Sequence, residues 1–258
     1  YELYDSYRAL KVLANESDYI QSELYKNSNI VTKRDVSTLY YDCTNYYFEI
    51  EMEDELRKYG KSKEHRPNPI VTMGLFMDSK GMPLSFDIYE GNKNEQLTLR
   101  PLEEKIIRDF EVKEFIFCSD SGLASKRNKL LNSIGNRKYV ITQSIKKLKK
   151  DDKECALDHS QFRKIGSNHF INLDDLDETK EAVFNSVYYK EMPGMNDSET
   201  IIITYSPKYK KYQQLIREKQ ISRAREMLSN HGKIKKGTKN PNDPKRLIKE
   251  VCITENGE

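Results

Sequence analysis

The chain has 258 residues, which fits one large domain or two small ones at roughly 100–200 residues each and suffices to bury a core without disulfides or structural metal. Lys and Arg number 44 against 41 Asp and Glu, a formal +3 that is too even to establish a nucleic-acid partner. The longest uncharged stretch is the 11 residues Pro67–Met77, short of the about 20 apolar residues of a membrane span; the N-terminus lacks a signal-peptide core; and Cys43, Cys118, Cys155 and Cys252 form no CxxC pair, which predicts reduced thiols in a cytoplasmic protein.

Residues 1–37 read as helical, with Tyr4, Tyr7, Leu10 and Leu13 at three-residue spacing and no Gly or Pro, as if continuing an upstream region. Thr38–Phe48, rich in aromatic and β-branched residues, predicts a strand. Ile70–Met77 and Met82–Tyr89 predict two more, joined by Asp78-Ser79-Lys80-Gly81, where Gly suits a tight turn. A helix is expected near Pro101–Phe110, with Pro101 in its first turn and Leu102, Ile106 and Phe110 on one face. Phe115–Cys118 reads as a buried strand that ends in the turn Ser119-Asp120-Ser121-Gly122. A helix with Leu123, Leu130, Leu131 and Ile134 inward follows, then a strand at Tyr139–Thr142.

This order predicts an α/β fold, a mixed sheet flanked by helices. After Ser144 the character changes: strands at Val183–Tyr189 and Thr200–Tyr205, a long basic helix at Pro207–Asn230, and a loop at Gly232–Pro244. Val251–Thr254 reads as a strand before an Asn256-Gly257 hairpin turn with no returning strand. That turn and the initial Tyr1 give the expectation of a fragment. The predicted organisation is a helical tail at 1–37, a core at 38–144 and a further subdomain at 145–258.

Charge is locally segregated. Lys126–Lys150 holds nine Lys/Arg and no acid, Gly166–Thr200 eight acids and two lysines, and Tyr205–Glu250 fourteen bases and four acids. Basic surface is therefore expected in specific places.

Two carboxylates stand out. Asp42 lies within Leu39-Tyr40-Tyr41-Asp42-Cys43-Thr44, where a buried carboxylate must be paired, protonated or bound to a cation. Asp120 follows Phe115-Ile116-Phe117-Cys118 at a strand's carboxyl end, where ligands gather in α/β sheets. If the two strands are neighbours, both carboxylates face one site, and with no His or Cys beside them they suit a hard cation such as Mg²⁺. The alternative is that each is a cap or turn residue. Lys126 and Arg127 beside Asp120, and the basic loop Gly60–Pro67 with Lys63 and Arg66, suit a phosphate-rich substrate.

Other motifs are weak. Cys155 and His159 lack a second ligand pair for zinc. His65, His159, His169 and His231 lie in polar segments, and there is no GxGxxG or phosphate-binding loop. Tyr205, Tyr209 and Tyr212 beside Lys208, Lys210 and Lys211 suit either base stacking with phosphate contact or packing on a helix face.

LYYDCTNYYFE around Asp42, GKSKEHRPNPIVTMGLFMDSKGMPLSFDIYEGNKNE from Gly60 to Glu95, and FCSDSGLAS around Asp120 together resemble the DDE transposases of bacterial insertion sequences. The likeness is to the branch with a β-rich insertion in its RNase H-like domain and spans roughly Val36–Tyr212. It implies an RNase H-like fold with Asp42 on the first strand and Asp120 after the fourth, as the first two members of an Asp-Asp-Glu triad. The triad would bind two Mg²⁺ or Mn²⁺ ions, cut transposon ends and join them to target DNA, commonly as a homodimer. It also implies that the stretch from about Ser144 is the insertion. The branch's Tyr-x2-Arg-x3-Glu-x6-Lys pattern is not met: Glu226 and Lys233 have the last spacing, but Lys219 and Ser222 stand where Tyr and Arg belong. The third carboxylate is therefore expected beyond Glu258, with this chain catalytically incomplete. Competing readings are a DNA-binding or decayed remnant, and a stand-alone RNase H-like nuclease.

Overall fold

A computed structural model describes residues 2–194, 198–229 and 243–248. The chain divides into two compact units, Tyr1–Lys147 and Leu148–Glu258.

The first unit opens with helices α1 (Leu3–Asn15) and α2 (Ser17–Val31), followed by strands β1 (Thr38–Tyr47), β2 (Ile70–Met77) and β3 (Pro83–Glu90). Helix α3 (Glu95–Asp109), strand β4 (Ile116–Ser119), helix α4 (Lys126–Leu131) and strand β5 (Lys138–Ile141) complete it. The five strands form one mixed sheet in the order β3-β2-β1-β4-β5, with β2 antiparallel to both neighbours and β1, β4 and β5 parallel. A central β1 with a hairpin on one side and parallel strands on the other is compatible with an RNase H-like fold.

Alternation along β1 turns Leu39, Tyr41 and Cys43 into the core and leaves Tyr40, Asp42 and Thr44 on the other face. The core joins them to Phe76, Phe117, Leu99, Leu102 and Ile106. Full burial of each such side chain is worth about 1.5–3 kcal/mol. Asp78 makes the hairpin turn as expected: its Oδ1 accepts from Lys80 N and Met82 N, and Gly81 takes φ 77°.

Helix α2 docks on this unit through polar groups. The buried Gln21 Oε1 accepts from Ser85 Oγ at 2.9 Å and Phe86 N at 2.8 Å, covering a backbone donor of edge strand β3. Arg34, just past α2, gives Nε to Asp78 Oδ2 at 2.6 Å and Nη2 to the Pro83 carbonyl at 2.8 Å, with both side chains buried. Burial pushes the Asp78 carboxyl up, and Arg34 and the backbone donors hold it below its ordinary value. Helix α1, by contrast, buries none of its residues, and Tyr4, Tyr7, Leu10 and Leu13 are all exposed.

Three expectations need correction here. The helix expected near Pro101 begins at Glu95, because Asn94 caps it by accepting from Gln96 N at 3.0 Å; Pro101 stands inside the helix, where it forgoes a backbone hydrogen bond. Leu130 and Ile134 are exposed, because Asn128 and Asn132 take the buried positions on and after α4. Asn128 donates to the Leu123 carbonyl at 3.0 Å, and Asn132 to Glu103 at 3.3 Å. Asp42 is not buried: its side chain is 70% exposed.

The second unit contains α5 (Lys150–Leu157), β6 (Phe162–Lys164), β7 (Phe170–Ile171), α6 (Glu181–Phe184), β8 (Tyr188–Pro193), β9 (Thr200–Tyr205) and α7 (Pro207–Ser229). Its sheet is antiparallel in the order β7-β6-β8-β9, packed on Leu148, Phe162, Tyr188, Met192 and Ile203. The strand expected over Val183–Tyr189 is a short helix and then a strand, since Phe184 closes α6 before the buried Tyr188 begins the sheet alternation. Most of the expected loop Gly232–Pro244, the strand Val251–Thr254 and the turn Asn256-Gly257 lie outside the described residues.

Candidate metal and phosphate site

The parallel pairing of β1 with β4 aligns Tyr40 with Cys118. Two residues further along each chain segment come Asp42, midway along β1, and Asp120, the first residue past the end of β4, on and just after two adjacent strands in the centre of the sheet. The condition set by the sequence, that the two strands be neighbours, is met. Both carboxylates are exposed.

Each is held by one oxygen. Asp42 Oδ1 accepts from Cys43 N at 2.8 Å, and Asp120 Oδ1 accepts from Gly122 N at 2.9 Å as cap of the 3₁₀ turn Ser121–Leu123. Neither Oδ2 has a partner among the described residues. Two fixed carboxylates, each with an uncommitted hard oxygen, fit a divalent cation such as Mg²⁺, which is bound through one or two carboxylates plus water and substrate phosphate. Among the described residues, no group of three or more His, Cys, Asp and Glu is close enough together to hold a metal.

The loop before β2 brings Lys63 to this place. Its backbone N–H donates to Asn45 Oδ1 at 3.1 Å, and Asn45 donates to Thr72 Oγ1 at 3.1 Å, which anchors the loop on β1 and β2. Lys63 Nζ then donates to the Cys43 carbonyl and lies 3.6 Å from Asp42 Oδ1 and 3.9 Å from Glu95 Oε1. Sequence reading gave Glu95 no role, although it closes the Gly60–Glu95 stretch that carries the resemblance. Its position in the first turn of α3 is visible only once the helix start moves back from Pro101.

That first turn is fixed by a buried polar knot on the core side of Asp42. Thr98 Oγ1 donates to the Glu95 carbonyl at 2.7 Å, so the Tyr41 hydroxyl must be the donor in its 2.7 Å bond to Thr98 Oγ1. Tyr89 donates to the Thr98 carbonyl at 2.9 Å. Burial raises the Tyr41 hydroxyl far above its ordinary value, so it stays protonated. The tyrosine fits because it faces Gly74: a Cβ there would come within 2.3 Å of its hydroxyl. The turn after Asp120 is tied to the same helix, since Gln96 Nε2 donates to the Gly122 carbonyl at 3.1 Å.

The other basic residues flank this arrangement. Arg66 lays its guanidinium 4.6 Å from the Tyr47 ring centroid, near the end of β1, with Glu64 at 3.7 Å. Lys126 and Arg127 are exposed in the first turn of α4, which Ser125 caps, and neither makes an ion pair among the described residues. Glu226 lies on α7 in the second unit, exposed. His159 Nδ1 lies 2.7 Å from Asp174 Oδ1, and Cys155 is an exposed free thiol.

No family model and no curated protein matches the chain. One solved structure is similar. It is the Mos1 transposase paired-end complex with left transposon end, at 11% identity and a TM-score of 0.28, over 49% of this chain and 40% of that one. The chain therefore spans less than half the length of that relative. Among the described residues, no helix is long and apolar enough to cross a membrane.

Proposed function

We propose that the chain is part of a DDE-type insertion-sequence transposase, with Asp42 and Asp120 as the first two carboxylates of its metal site and DNA as its substrate. The observation that supports this most is their placement: 78 residues apart in sequence, each comes two residues after the paired Tyr40 and Cys118 of two adjacent parallel strands, with an oxygen of each uncommitted. Mg²⁺ or Mn²⁺ held there would activate an attacking oxygen and stabilise the leaving one in phosphodiester cleavage and strand transfer. The chain's own part is to hold the carboxylates still and to offer cations to phosphate. The first falls to the β1–β4 pairing and the knot around Thr98, the second to Lys63, Arg66, Lys126 and Arg127. Transposon ends and target DNA are the substrates that the sequence resemblance implies, with pairing of two ends in a homodimer.

Isothermal titration of the chain with MnCl₂ tests this. Asp42→Asn and Asp120→Asn are each expected to weaken Mn²⁺ binding at least tenfold and to leave binding of a labelled DNA duplex intact. Equal Mn²⁺ affinity in wild type and both variants would overturn the metal assignment. A second reading, a DNA-binding module without cleavage, is favoured by the absence of a third donor beside the two among the described residues. It predicts DNA binding with no specific Mn²⁺ uptake in the same titration.

A further inference from the structure

Helix α7 is 23 residues long yet buries only Pro207 and Ala224. Ile216, Gln220, Ile221 and Met227 are half-buried, and at 3.6 residues per turn they share one side with Ala224. The opposite side carries Lys208, Lys211, Tyr212, Leu215 and Lys219, all exposed. From Pro207 to Arg217 the helix has no acid; Glu218 and Glu226 appear only in its second half.

Packing removes part of the basic and aromatic set legible in the sequence. Lys210 Nζ lies 2.9 Å from Glu178 Oε1, and the Tyr205 hydroxyl donates to the same carboxylate. Lys210 and Tyr205 therefore hold α7 to its own unit. Lys208, Lys211 and Lys219 make no ion pair among the described residues. Tyr209 and Tyr212 stand 62% and 57% exposed with ring centroids 6.2 Å apart.

We propose that this free face of α7 is a docking surface for duplex DNA. Lys208, Lys211 and Lys219 would meet phosphates, and Tyr212 would lie against sugar or base edges. Three lysines over twelve residues span about 16 Å, and the whole helix is about 35 Å long, close to one turn of duplex. The B-DNA major groove, about 12 Å wide, admits an α-helix. A membrane-surface helix would instead need a broad apolar face, and Tyr212 and Leu215 are the only apolar side chains here. The surface belongs to the second unit, whereas Asp42 and Asp120 belong to the first, and it does not depend on metal.

The test is fluorescence anisotropy of the whole chain with a labelled 20-base-pair duplex of random sequence, from 50 to 300 mM KCl. In a Lys208→Gln/Lys211→Gln/Lys219→Gln variant, affinity at 50 mM should fall at least tenfold. The slope of log K against log salt should shrink by about 2.7, the share of three phosphate contacts. A Lys→Arg triple variant should restore both, and unchanged far-ultraviolet circular dichroism would show that the fold is kept. An unchanged slope in the folded Gln variant overturns the proposal. So does loss of binding to 30% phosphatidylserine vesicles while duplex affinity is kept. Duplex binding is read without divalent metal, so failure of the metal assignment and failure of this surface read out separately.

Discussion

Lys63 brings its ammonium to a carboxylate read from the sequence as a cation ligand, and it does so from a loop whose basic residues were read as phosphate contacts. Both readings meet in one atom: Nζ lies 3.6 Å from Asp42 Oδ1 and 3.9 Å from Glu95 Oε1. On the proposed function, a cation already placed there would compete with a divalent ion for Asp42 and would leave for a phosphate of bound DNA. The side chain is 45% exposed, so the attraction is screened and the competition is modest. Lys63→Met should therefore move two affinities in opposite directions: Mn²⁺ binding rises severalfold by titration, and duplex binding weakens with a smaller salt slope. A variant that lost Mn²⁺ affinity would show that Lys63 organises the carboxylates rather than competing for them.

At the scale of elements, the joint of α3 with α4 and β5 holds a buried acid. Glu103 is fully buried on α3, with Asn132 Nδ2 at 3.3 Å and Arg137 Nη1 at 3.3 Å. Burial raises its carboxyl to about 7, against the opposing pull of Arg137. Between its ordinary value of 4.5 and about 7, the folded chain holds a proton that the unfolded chain gives up. Its contribution to stability is thus fully present below about 4.5 and lost as pH rises through about 7, a change of about 3 kcal/mol. Thermal melts at pH 5 and pH 8 should show a smaller difference for Glu103→Gln than for wild type; an identical difference in both would mean that another group carries it. The sequence made this joint hard to read. Leu130 and Ile134 suggested an apolar inner face for the helix after Asp120, but a helix of six residues offers little such face, and paired Asn and Glu side chains took its place. Strand Ile70–Met77 was fully legible because uncharged β-branched and apolar residues run between a basic loop and the turn Asp78-Ser79-Lys80-Gly81. The candidate site was half legible: Asp42 stands out as an acid within an apolar strand and Asp120 as one directly after another, whereas Glu95 and Gln96 depend on where α3 begins, which Asn94 decides. The burial argument for Asp42 failed because one strand residue in two faces away from the core.

Across the whole molecule, two units with separate cores make the location of a bound ion measurable. The buried cluster around Leu39, Phe76 and Phe117 belongs to the first unit, and that around Phe162, Tyr188 and Ile203 to the second. A ligand that binds only the folded state stabilises what it binds, by about 2.7 kcal/mol at a hundredfold excess over its dissociation constant. Asp42 and Asp120 lie on elements of the first unit, so an ion held between them must be released before β1 and the end of β4 can open. Hydrogen exchange read peptide by peptide, with and without Mn²⁺, should then show slowing confined to segments covering Thr38–Tyr47 and Ile116–Leu123, while Tyr188–Tyr205 exchanges as before. Asp120→Asn should abolish the slowing in both segments at once, because under the proposed assignment Asp42 and Asp120 each supply one ligand to the same ion. Slowing of equal size in the second unit, or slowing that survives Asp120→Asn, would place the ion elsewhere and leave the two carboxylates as an exposed mid-strand residue and a turn cap.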